Sequence, residues 1–281
     1  MAEWFKVYAW KAYVAETSPR VRIPVSPPIF YMKVISLNTW GARLSKEFKD
    51  FLSTHQDVDI FCFQEVLKGG QGLTKRSELK SCYEDICKIL TDHIGYFSEY
   101  GEGGYYCESS KNMDFEYGVA CFVKKNLNQS FVNGVTLFDP EQKWSDYDGQ
   151  FAAGASLTVR VSDFLLINVH GLWQGSMKKD SEARFEQSRR IIDLANKFQG
   201  KTIICGDFNL EPETESIKMI ENLPMKNLIK EFNVLSTRTS YYSKDIKFAD
   251  YVFVDNGVEL IDFRVLPDEV SDHAPLYVDF K

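Results

Sequence analysis

The sequence has 281 residues, of which 44% are hydrophobic and 14% aromatic, enough to form one large globular domain or two small ones. Its formal net charge of −7, from 33 basic and 40 acidic residues, argues against avid non-specific binding to polyanions. Such binding needs many contacts between basic side chains and phosphates. A local basic groove stays compatible with this balance. We expect no transmembrane segment and no secretory signal, because charged residues interrupt every long apolar run.

The N-terminal segment differs from the rest of the chain. Prolines punctuate residues 1–31, and neither a helical nor a strand period persists there. A regular pattern begins at Met32. We therefore predict an irregular extension at 1–31 and one domain at 32–281. The alternative for the extension is a functional arm that lies over the domain.

Short apolar runs alternate with amphipathic stretches along the predicted domain. The β-branched and aromatic content of the runs predicts strands at 33–37, 60–63, 118–123, 155–161, 164–169, 202–205, 249–254 and 275–280. Apolar residues at intervals of three and four predict helices at 77–92, 181–198 and 213–222. The strand at 202–205 is apolar on both faces and is therefore expected to be covered on both sides. These elements predict a layered α/β domain.

The cysteines bear on the compartment. The sequence contains six, and none forms a CxxC pair. Cys62, Cys121 and Cys205 lie inside apolar runs, as reduced thiols of a protein core do. We expect a cytoplasmic and monomeric protein.

Polar residues stand where several predicted strands begin or end. The carboxyl ends of buried strands in α/β proteins converge on one crevice, where ligands usually bind. Any one of these residues alone could close a turn or cap a helix. As a set they predict a site formed by Asn38, Gln64, Glu65, His170, Asp207, Asn209, Asp250, Asp272 and His273.

The segments around these residues carry a resemblance to a known family. In order along the chain they are Asn38-Thr39-Trp40-Gly41, Phe63-Gln64-Glu65-Val66, Asn168-Val169-His170, Gly206-Asp207-Phe208-Asn209, Phe248-Ala249-Asp250-Tyr251 and Ser271-Asp272-His273-Ala274-Pro275. Together they resemble the successive motifs of the endonuclease/exonuclease/phosphatase superfamily, across residues 33–280. The resemblance implies a four-layer α/β/β/α sandwich, with two β-sheets face to face and helices outside. The strand and helix count fits this architecture without establishing it.

The resemblance also implies a divalent metal ion. Glu65 would bind it, and the ion would be magnesium, with manganese as a substitute, because a carboxylate is the hard ligand that magnesium prefers. Asn38 would help to hold the metal or a phosphate oxygen. Asp272 would support the metal directly or through water.

The implied reaction is hydrolysis of a phosphodiester by in-line attack of water. Asp207 would orient or deprotonate the water, and Asn209 would fix the geometry. Asp250 would orient the imidazole of His273. His273 and His170 would then stabilise negative charge on the phosphoryl oxygens.

The substrate is less constrained than the chemistry. Abasic-site endonucleases of the superfamily carry an aromatic residue at the position of His170, so this chain is nearer to the histidine-bearing branches. In the segment 171–180, Trp173 could stack on a base and Lys178 could contact a phosphate, although Trp173 could equally pack onto the fold. Trp40 and Arg43 are further candidate substrate contacts.

Three functions stay open at this stage. The first is a nuclease or a phosphodiesterase of DNA or RNA ends, with nucleic acid as the substrate. The second is a phosphatase or phospholipase-like enzyme acting on a small or lipid phosphoester, which the acidic charge balance keeps open. The third is a non-catalytic binding protein on the same fold, which would be expected to have lost metal or base residues.

Overall fold

The computed structural model of the chain describes residues 31–100, 113–137, 154–175 and 178–281. These residues belong to one compact unit, Tyr31–Lys281. Residues 1–30 of the predicted extension lie outside the described ranges. So do residues 176 and 177 of the predicted substrate segment.

The described ranges contain two six-stranded sheets. In chain order the strands are β1 (Met32–Asn38), β2 (Ile60–Lys68), β3 (His93–Glu99), β4 (Glu116–Lys124), β5 (Gln129–Thr136), β6 (Ala155–Val161), β7 (Phe164–His170), β8 (Lys201–Asp207), β9 (Met225–Asn227), β10 (Asp250–Asp255), β11 (Leu260–Val265) and β12 (Leu276–Phe280). The first sheet has the order β11-β12-β1-β2-β4-β3, and the second has the order β5-β6-β7-β8-β10-β9. Only β1–β2 and β7–β8 pair in parallel among these described strands.

The helices of the described ranges are short. They are a single 3-10 turn at Trp40–Ala42, α1 (Ser45–Thr54), α2 (Cys82–Ile89), α3 (Glu182–Asn196), α4 (Glu215–Glu221) and α5 (Leu228–Glu231). Within these ranges every helix is too short or too polar to cross a membrane.

The alternation of side chains along the strands explains the layers. In β1, Val34 faces the core between the two sheets, whereas the next residue, Ile35, faces the core beneath α1 and α2. Phe61 of β2 also lies on that helix side. Ile191 of α3 and Ile217 of α4 pack in the cluster that contains the strands of the second sheet. The predicted sandwich of two sheets with helices outside is therefore confirmed.

Several elements differ from the sequence-based expectation. The helix predicted at 77–92 covers only Cys82–Ile89, because a bridge between Leu73 and Leu79 precedes it and β3 begins at His93. The strands β3, β5, β9 and β11 and the helices α1 and α5 were not predicted. Much of β3, β5 and β11 is partly or fully exposed, so their sequences mix polar and apolar residues without a continuous apolar run. All cysteines in the described ranges are free thiols, as predicted.

The strand register places the predicted site residues side by side. In the first sheet, Asn38 at the end of β1 is paired with Gln64 of β2. In the second sheet, His170 at the end of β7 is paired with Asp207 at the end of β8. Because β10 runs antiparallel to β8, its first residue, Asp250, is also paired with Asp207. The strand ends that carry the predicted site residues therefore lie at one edge of the sandwich in both sheets.

A buried amide links the two sheets at this edge. Asn168 of β7 donates hydrogen bonds from Nδ2 to the carbonyl oxygens of Phe63 and Ala120, at 3.0 Å each. Its Oδ1 accepts a hydrogen bond from Gln64 Nε2 at 2.6 Å. Since an unpaired amide would be costly at this depth, the contacts fix the second sheet against β2.

Candidate active site

The carboxylate of Asp207 lies at the centre of the predicted site. Its Oδ2 accepts a hydrogen bond from Asn38 Nδ2 at 3.0 Å and lies 3.7 Å from both His170 Nε2 and His273 Nε2. Its Oδ1 accepts a hydrogen bond from the backbone N–H of Asn209 at 2.8 Å. The structure thus brings Asn38, His170 and His273, which are distant in sequence, to the carboxylate of Asp207.

The surroundings keep Asp207 ionised. Burial alone would raise the pKa of this carboxyl group, but neighbouring cationic groups, with His273 and Lys178 the largest contributors, lower the pKa below its usual range. An ionised carboxylate can only accept hydrogen bonds. Asp207 is therefore suited to hold a water molecule or another donor in a fixed orientation.

Gly206 allows Asp207 to reach this position. The backbone of Gly206 has a φ of 134°, and a Cβ built there would lie 1.9 Å from the carbonyl oxygen of Val169. Only glycine fits such a close approach between β8 and β7. This contact explains the glycine of the Gly-Asp-x-Asn motif.

Glu65 is positioned by a bulge rather than by a strand end. The sequence predicted that Gln64 and Glu65 follow their strand, but β2 continues to Lys68, and its register with β4 shifts between Phe63 and Val66. Glu65 itself has a φ of 56°, an uncommon conformation for a residue with a side chain. Thr39 Oγ1 stabilises it with hydrogen bonds to the carbonyl oxygens of Gln64 and Glu65, at 3.0 and 2.9 Å.

One oxygen of the Glu65 carboxylate is available for a further ligand. Its Oε1 accepts a hydrogen bond from Asn38 Nδ2 at 3.0 Å. Its Oε2 is buried and makes no hydrogen bond within the part of the chain that the structure describes. A buried carboxylate oxygen without a partner is energetically costly unless a cation or a donor binds it. Glu65 therefore fits the predicted role of a metal ligand.

Asn38 is already engaged on both sides of its amide. Its Nδ2 bridges the carboxylates of Glu65 and Asp207, and its Oδ1 accepts a hydrogen bond from Trp40 N at 2.9 Å. This arrangement holds the two carboxylates next to each other. The predicted direct contact of Asn38 with a metal stays a prediction.

His273 is in hydrogen-bond contact with Asp250, the residue predicted to orient it. Its Nδ1 lies 2.8 and 2.9 Å from the two carboxylate oxygens of Asp250, and Thr237 Oγ1 donates a further hydrogen bond to Asp250 Oδ2 at 2.9 Å. Asp207, Asp250 and His273 each offer a possible ligand atom within 4.8 Å of the others. Because Nδ1 of His273 is already hydrogen bonded to Asp250, and Asp207 Oδ2 lies 3.7 Å from His273 Nε2, we regard Glu65 as the better candidate metal ligand.

Opposing influences act on the pKa of His273. Burial and the guanidinium of Arg238 lower it, whereas the carboxylates, with Asp250 the largest contributor, raise it. The net effect is a pKa above the usual value. The imidazole is thus protonated more readily than an ordinary histidine side chain, and it can present a positive charge to the cleft.

His170 is fixed by a residue that the sequence analysis did not identify. The buried hydroxyl of Tyr100 lies 2.7 Å from His170 Nδ1 and accepts a hydrogen bond from the backbone N–H of Glu65 at 3.0 Å. This contact directs Nε2 of His170 toward Glu65 Oε1 and Asp207 Oδ2, at 3.7 Å each. Tyr100 thereby couples the metal-ligand candidate to the imidazole.

Lys178, a predicted substrate contact, lies in the cleft but is buried. Its Nζ donates a hydrogen bond to Asn209 Oδ1, and Asn209 Nδ2 donates to the carbonyl oxygen of Gly171 at 3.2 Å. Burial lowers the pKa of Lys178 to about 8. The positive charge of this ammonium group helps to lower the pKa of the Asp207 carboxyl group.

The remaining predicted residues divide into two groups. Trp40, Trp173 and Asp272 line the cleft. Arg43 is not among the residues that line it, because its Nη2 forms an ion pair with Glu78 Oε1 at 2.9 Å and its guanidinium lies 4.6 Å from the Trp40 ring. Arg43 thus packs against the ring of Trp40.

One wall of the cleft was missed by the sequence analysis. Arg238, Tyr241, Tyr242, Ser243 and Lys244 line it, together with the predicted residues. This segment has no strand or helix pattern, and an isolated bridge between Arg238 and His273 brings it to the site. The closely spaced arginine and tyrosines were the only sequence signal, and such a pattern is common on ordinary surfaces.

The family model described as the Endonuclease/Exonuclease/phosphatase family matches residues 35–273, and the chain belongs to this family. Its members are hydrolases that act on phosphoester bonds and generally use a divalent metal ion. No curated protein sequence matches the chain significantly.

Solved structures share the fold at low sequence identity. The mannosyl-6-phosphatase of Bacteroides thetaiotaomicron is 16% identical with a TM-score of 0.62, covering 89% of this chain and 99% of that one. The human Nocturnin catalytic domain with a bound sulfate anion is 20% identical with a TM-score of 0.56, covering 89% and 93%. The TDP2 protein of D. rerio, humanized by 14 mutations, is 13% identical with a TM-score of 0.59, covering 89% and 99%.

Proposed function

We propose that this protein is a magnesium-dependent phosphodiesterase that hydrolyses nucleic acid in the cleft around Asp207. The buried Glu65 Oε2 carries the proposal, because it makes no hydrogen bond within the described residues. The other oxygen of the same carboxylate, Oε1, lies 3.7 Å from His170 Nε2 and shares the amide of Asn38 with the ionised carboxylate of Asp207. A site for a neutral ligand would leave these buried charges without partners. The arrangement suits a reaction in which a cation and an anionic group meet.

Glu65 would hold the metal, with Asp272 and Asn38 as supporting residues. Hard oxygen donors of this kind are those that magnesium prefers, and manganese would substitute for it. When bound, the ion supplies charge that polarises the phosphoryl group and stabilises a leaving oxygen.

The residues of the second sheet would perform the hydrolytic step. Asp207 accepts a hydrogen bond from the attacking water and orients it toward phosphorus, and Asn209 holds Asp207 through its backbone N–H. His170 and protonated His273 donate from Nε2 to phosphoryl oxygens. Asp250 keeps the His273 ring in the orientation that this donation needs.

The rim of the cleft supports nucleic acid as the substrate. The aromatic rings of Trp40, Trp173 and Tyr241 line it, and Lys244 adds positive charge. Stacking of bases on aromatic side chains, combined with cations for the phosphates, is the usual way to bind single-stranded nucleic acid. A small phosphoester is the alternative, since a sugar phosphatase shares the fold.

The test is magnesium-dependent hydrolysis across a substrate panel. The panel contains single- and double-stranded DNA, RNA, a duplex with an abasic site, a 5′-tyrosyl oligonucleotide, sphingomyelin and inositol phosphates. Asp207→Asn removes the central carboxylate, and Asp50→Asn is the matched control, because Asp50 is exposed on α1 and pairs with Lys46.

We expect turnover of a nucleic-acid substrate in the wild type and in Asp50→Asn. It should be lost in Asp207→Asn and in EDTA. Turnover of only sphingomyelin or an inositol phosphate would contradict nucleic acid as the substrate and support the alternative. Absence of any turnover together with absence of magnesium binding would contradict the enzymatic proposal and support a binding protein.

A further inference from the structure

Arg238 lies in the missed wall of the cleft, on a backbone that is fixed next to His273. The neighbouring Thr237 donates its N–H to the carbonyl oxygen of Lys247 at 2.8 Å and accepts a hydrogen bond from Ala274 N at 3.0 Å. Arg238 itself forms a β-bridge with His273. The segment therefore has little freedom to move away from the site.

The side chain of Arg238 is directed by three contacts. Its Nη1 is hydrogen bonded to His273 Nε2 and lies 3.6 Å from Asp272 Oδ2. The guanidinium carbon lies 4.0 Å from the centre of the Tyr242 ring, which is a cation–π contact. His273, Asp272 and Tyr242 all line the cleft together with Arg238.

The guanidinium is nevertheless incompletely satisfied. Its side chain is 5% exposed, and its buried Nε makes no hydrogen bond within the ranges that the structure describes. An arginine carries five N–H donors and stays charged at every relevant pH. A buried cation with unmet donors is unfavourable unless an anion joins it.

Arg43 and Arg184 are engaged by groups of the protein and do not line the cleft, in contrast to Arg238. Arg43 pairs with the buried carboxylate of Glu78 at 2.9 Å and is not among the residues that line the cleft. Arg184 is buried within α3 and donates to the carbonyl oxygen of Lys179 at 2.6 Å. The only carboxylate in an ion pair with Arg238 among the described residues is Asp272, at the longer distance of 3.6 Å.

We infer that Arg238 is a further catalytic residue that binds a non-bridging oxygen of the scissile phosphoryl group beside His273. This assignment rests on the proposed phosphodiesterase function. In the site without substrate, Nη1 donates to Nε2 of the neutral His273 imidazole. When an anionic oxygen binds between the two groups, the imidazole takes up a proton, and both groups donate a hydrogen bond to that oxygen. The stacking on Tyr242 keeps the planar guanidinium in one orientation, so little reorganisation is needed when the substrate binds.

Arg238 acts by charge and does not transfer a proton. The oxygen of water forms the new bond to phosphorus, and the ester bond from phosphorus to the leaving oxygen breaks. One proton of the attacking water passes to solvent. The electron pair of the broken bond stays on the leaving oxygen, which takes up one proton from solvent. Arg238 stays protonated and neutralises the charge that gathers on the phosphoryl oxygens.

The test compares Arg238→Gln with Arg189→Gln. Arg189 is a matched control, because it is half exposed on α3 and pairs only with Glu186 among the described residues. Affinity for inorganic phosphate is measured by calorimetry at fixed magnesium concentration, and kcat is measured on the substrate identified by the panel. We expect Arg238→Gln to bind phosphate about tenfold more weakly or worse and to lose about 100-fold in kcat. The control should match the wild type.

Arg238→Lys is the second variant, and it keeps the assignment testable if Arg238→Gln does not fold. A lysine retains the charge but lacks the planar fork, so it should restore part of the phosphate affinity and only part of kcat. Thermal unfolding of each variant shows whether the fold is kept.

Phosphate affinity and kcat that are unchanged in a folded Arg238 variant would overturn the assignment while leaving the proposed function intact. Absence of phosphate binding by the wild type would also overturn it. Phosphate binding that depends on Arg238, in a protein that hydrolyses nothing in the panel, would support the anion site and contradict the proposed function.

Discussion

The contact between Asp250 and His273 gives the sharpest prediction for a single substitution. In Asp250→Asn one carboxylate oxygen becomes an amide nitrogen. Both oxygens now act as acceptors, toward His273 Nδ1 and toward the hydroxyl of Thr237. Thr237 Oγ1 already accepts hydrogen bonds from the backbone N–H groups of Ala249 and Asp250, at 3.2 and 3.3 Å. The new amide therefore meets a donor or a filled acceptor in either orientation.

The loss can be estimated from this geometry. A hydrogen bond to a charged partner contributes about 1.5–3 kcal/mol, which corresponds to about a 10- to 100-fold reduction in kcat if it is lost from the reacting state. The unfolding free energy should fall by about 1–3 kcal/mol, because one buried polar group is left without a partner. Both effects should occur without a change in metal affinity.

The pH dependence carries a second signature of the same contact. Asp250 raises the pKa of His273, so its neutralisation lowers that pKa. The protonated imidazole is lost as pH rises through its pKa, so the alkaline limb of the kcat profile should move to lower pH in Asp250→Asn.

The measurement is a kcat–pH profile of Asp250→Asn on the substrate found by the panel. Asp262→Asn is the control, since Asp262 is exposed and pairs with Arg264. An unchanged kcat together with an unchanged alkaline limb would refute the orienting role of Asp250.

Two further predictions concern residues that shape the site. Gly206→Ala should destabilise the fold by more than about 3 kcal/mol, because its Cβ would lie 1.9 Å from the Val169 carbonyl oxygen, whereas Gly72→Ala, with φ of 71° and open space around it, should cost about 1–2 kcal/mol. Urea unfolding of both variants measures this, and equal losses would contradict the close-approach argument. Tyr100→Phe removes the hydroxyl that lies 2.7 Å from His170 Nδ1 and accepts a hydrogen bond from the backbone N–H of Glu65. We expect kcat to fall by about fivefold to tenfold and the unfolding free energy to fall by about 1–3 kcal/mol, because the N–H of Glu65 loses its partner. Steady-state kinetics would contradict the role of Tyr100 if kcat equalled that of the wild type.

The buried strands and the residues at their ends could be predicted because their signals are local. Asp207 and His170 follow continuous apolar runs, and parallel strands bring such ends together. Glu65 was identified by its motif, but its position was not, since the bulge that holds it depends on the register between β2 and β4. Pairing register is a property of two distant segments, so it cannot be predicted from the sequence of either segment alone.

The missed parts of the site are those that long-range contacts create. Tyr100 reaches His170 across 70 residues, and Arg238 reaches His273 across 35. Asn168 was noted only as part of a motif, yet its side chain joins the two sheets. An isolated polar residue in an apolar run does not reveal its partner, so such roles require the three-dimensional structure.

The most direct test of the account is a magnesium titration of turnover in Glu65→Gln. The substitution keeps the size of the side chain and removes the charge that the buried Oε2 carries. Glu116→Gln is the matched control, because Glu116 is exposed and pairs with Lys68. We expect the wild type and the control to saturate with magnesium and to lose activity in EDTA. Glu65→Gln should show no magnesium-dependent turnover while keeping its melting temperature. Full activity of Glu65→Gln at the same magnesium concentration, or wild-type turnover that persists in EDTA, would contradict the central claim that this cleft is a metal-dependent phosphoesterase site.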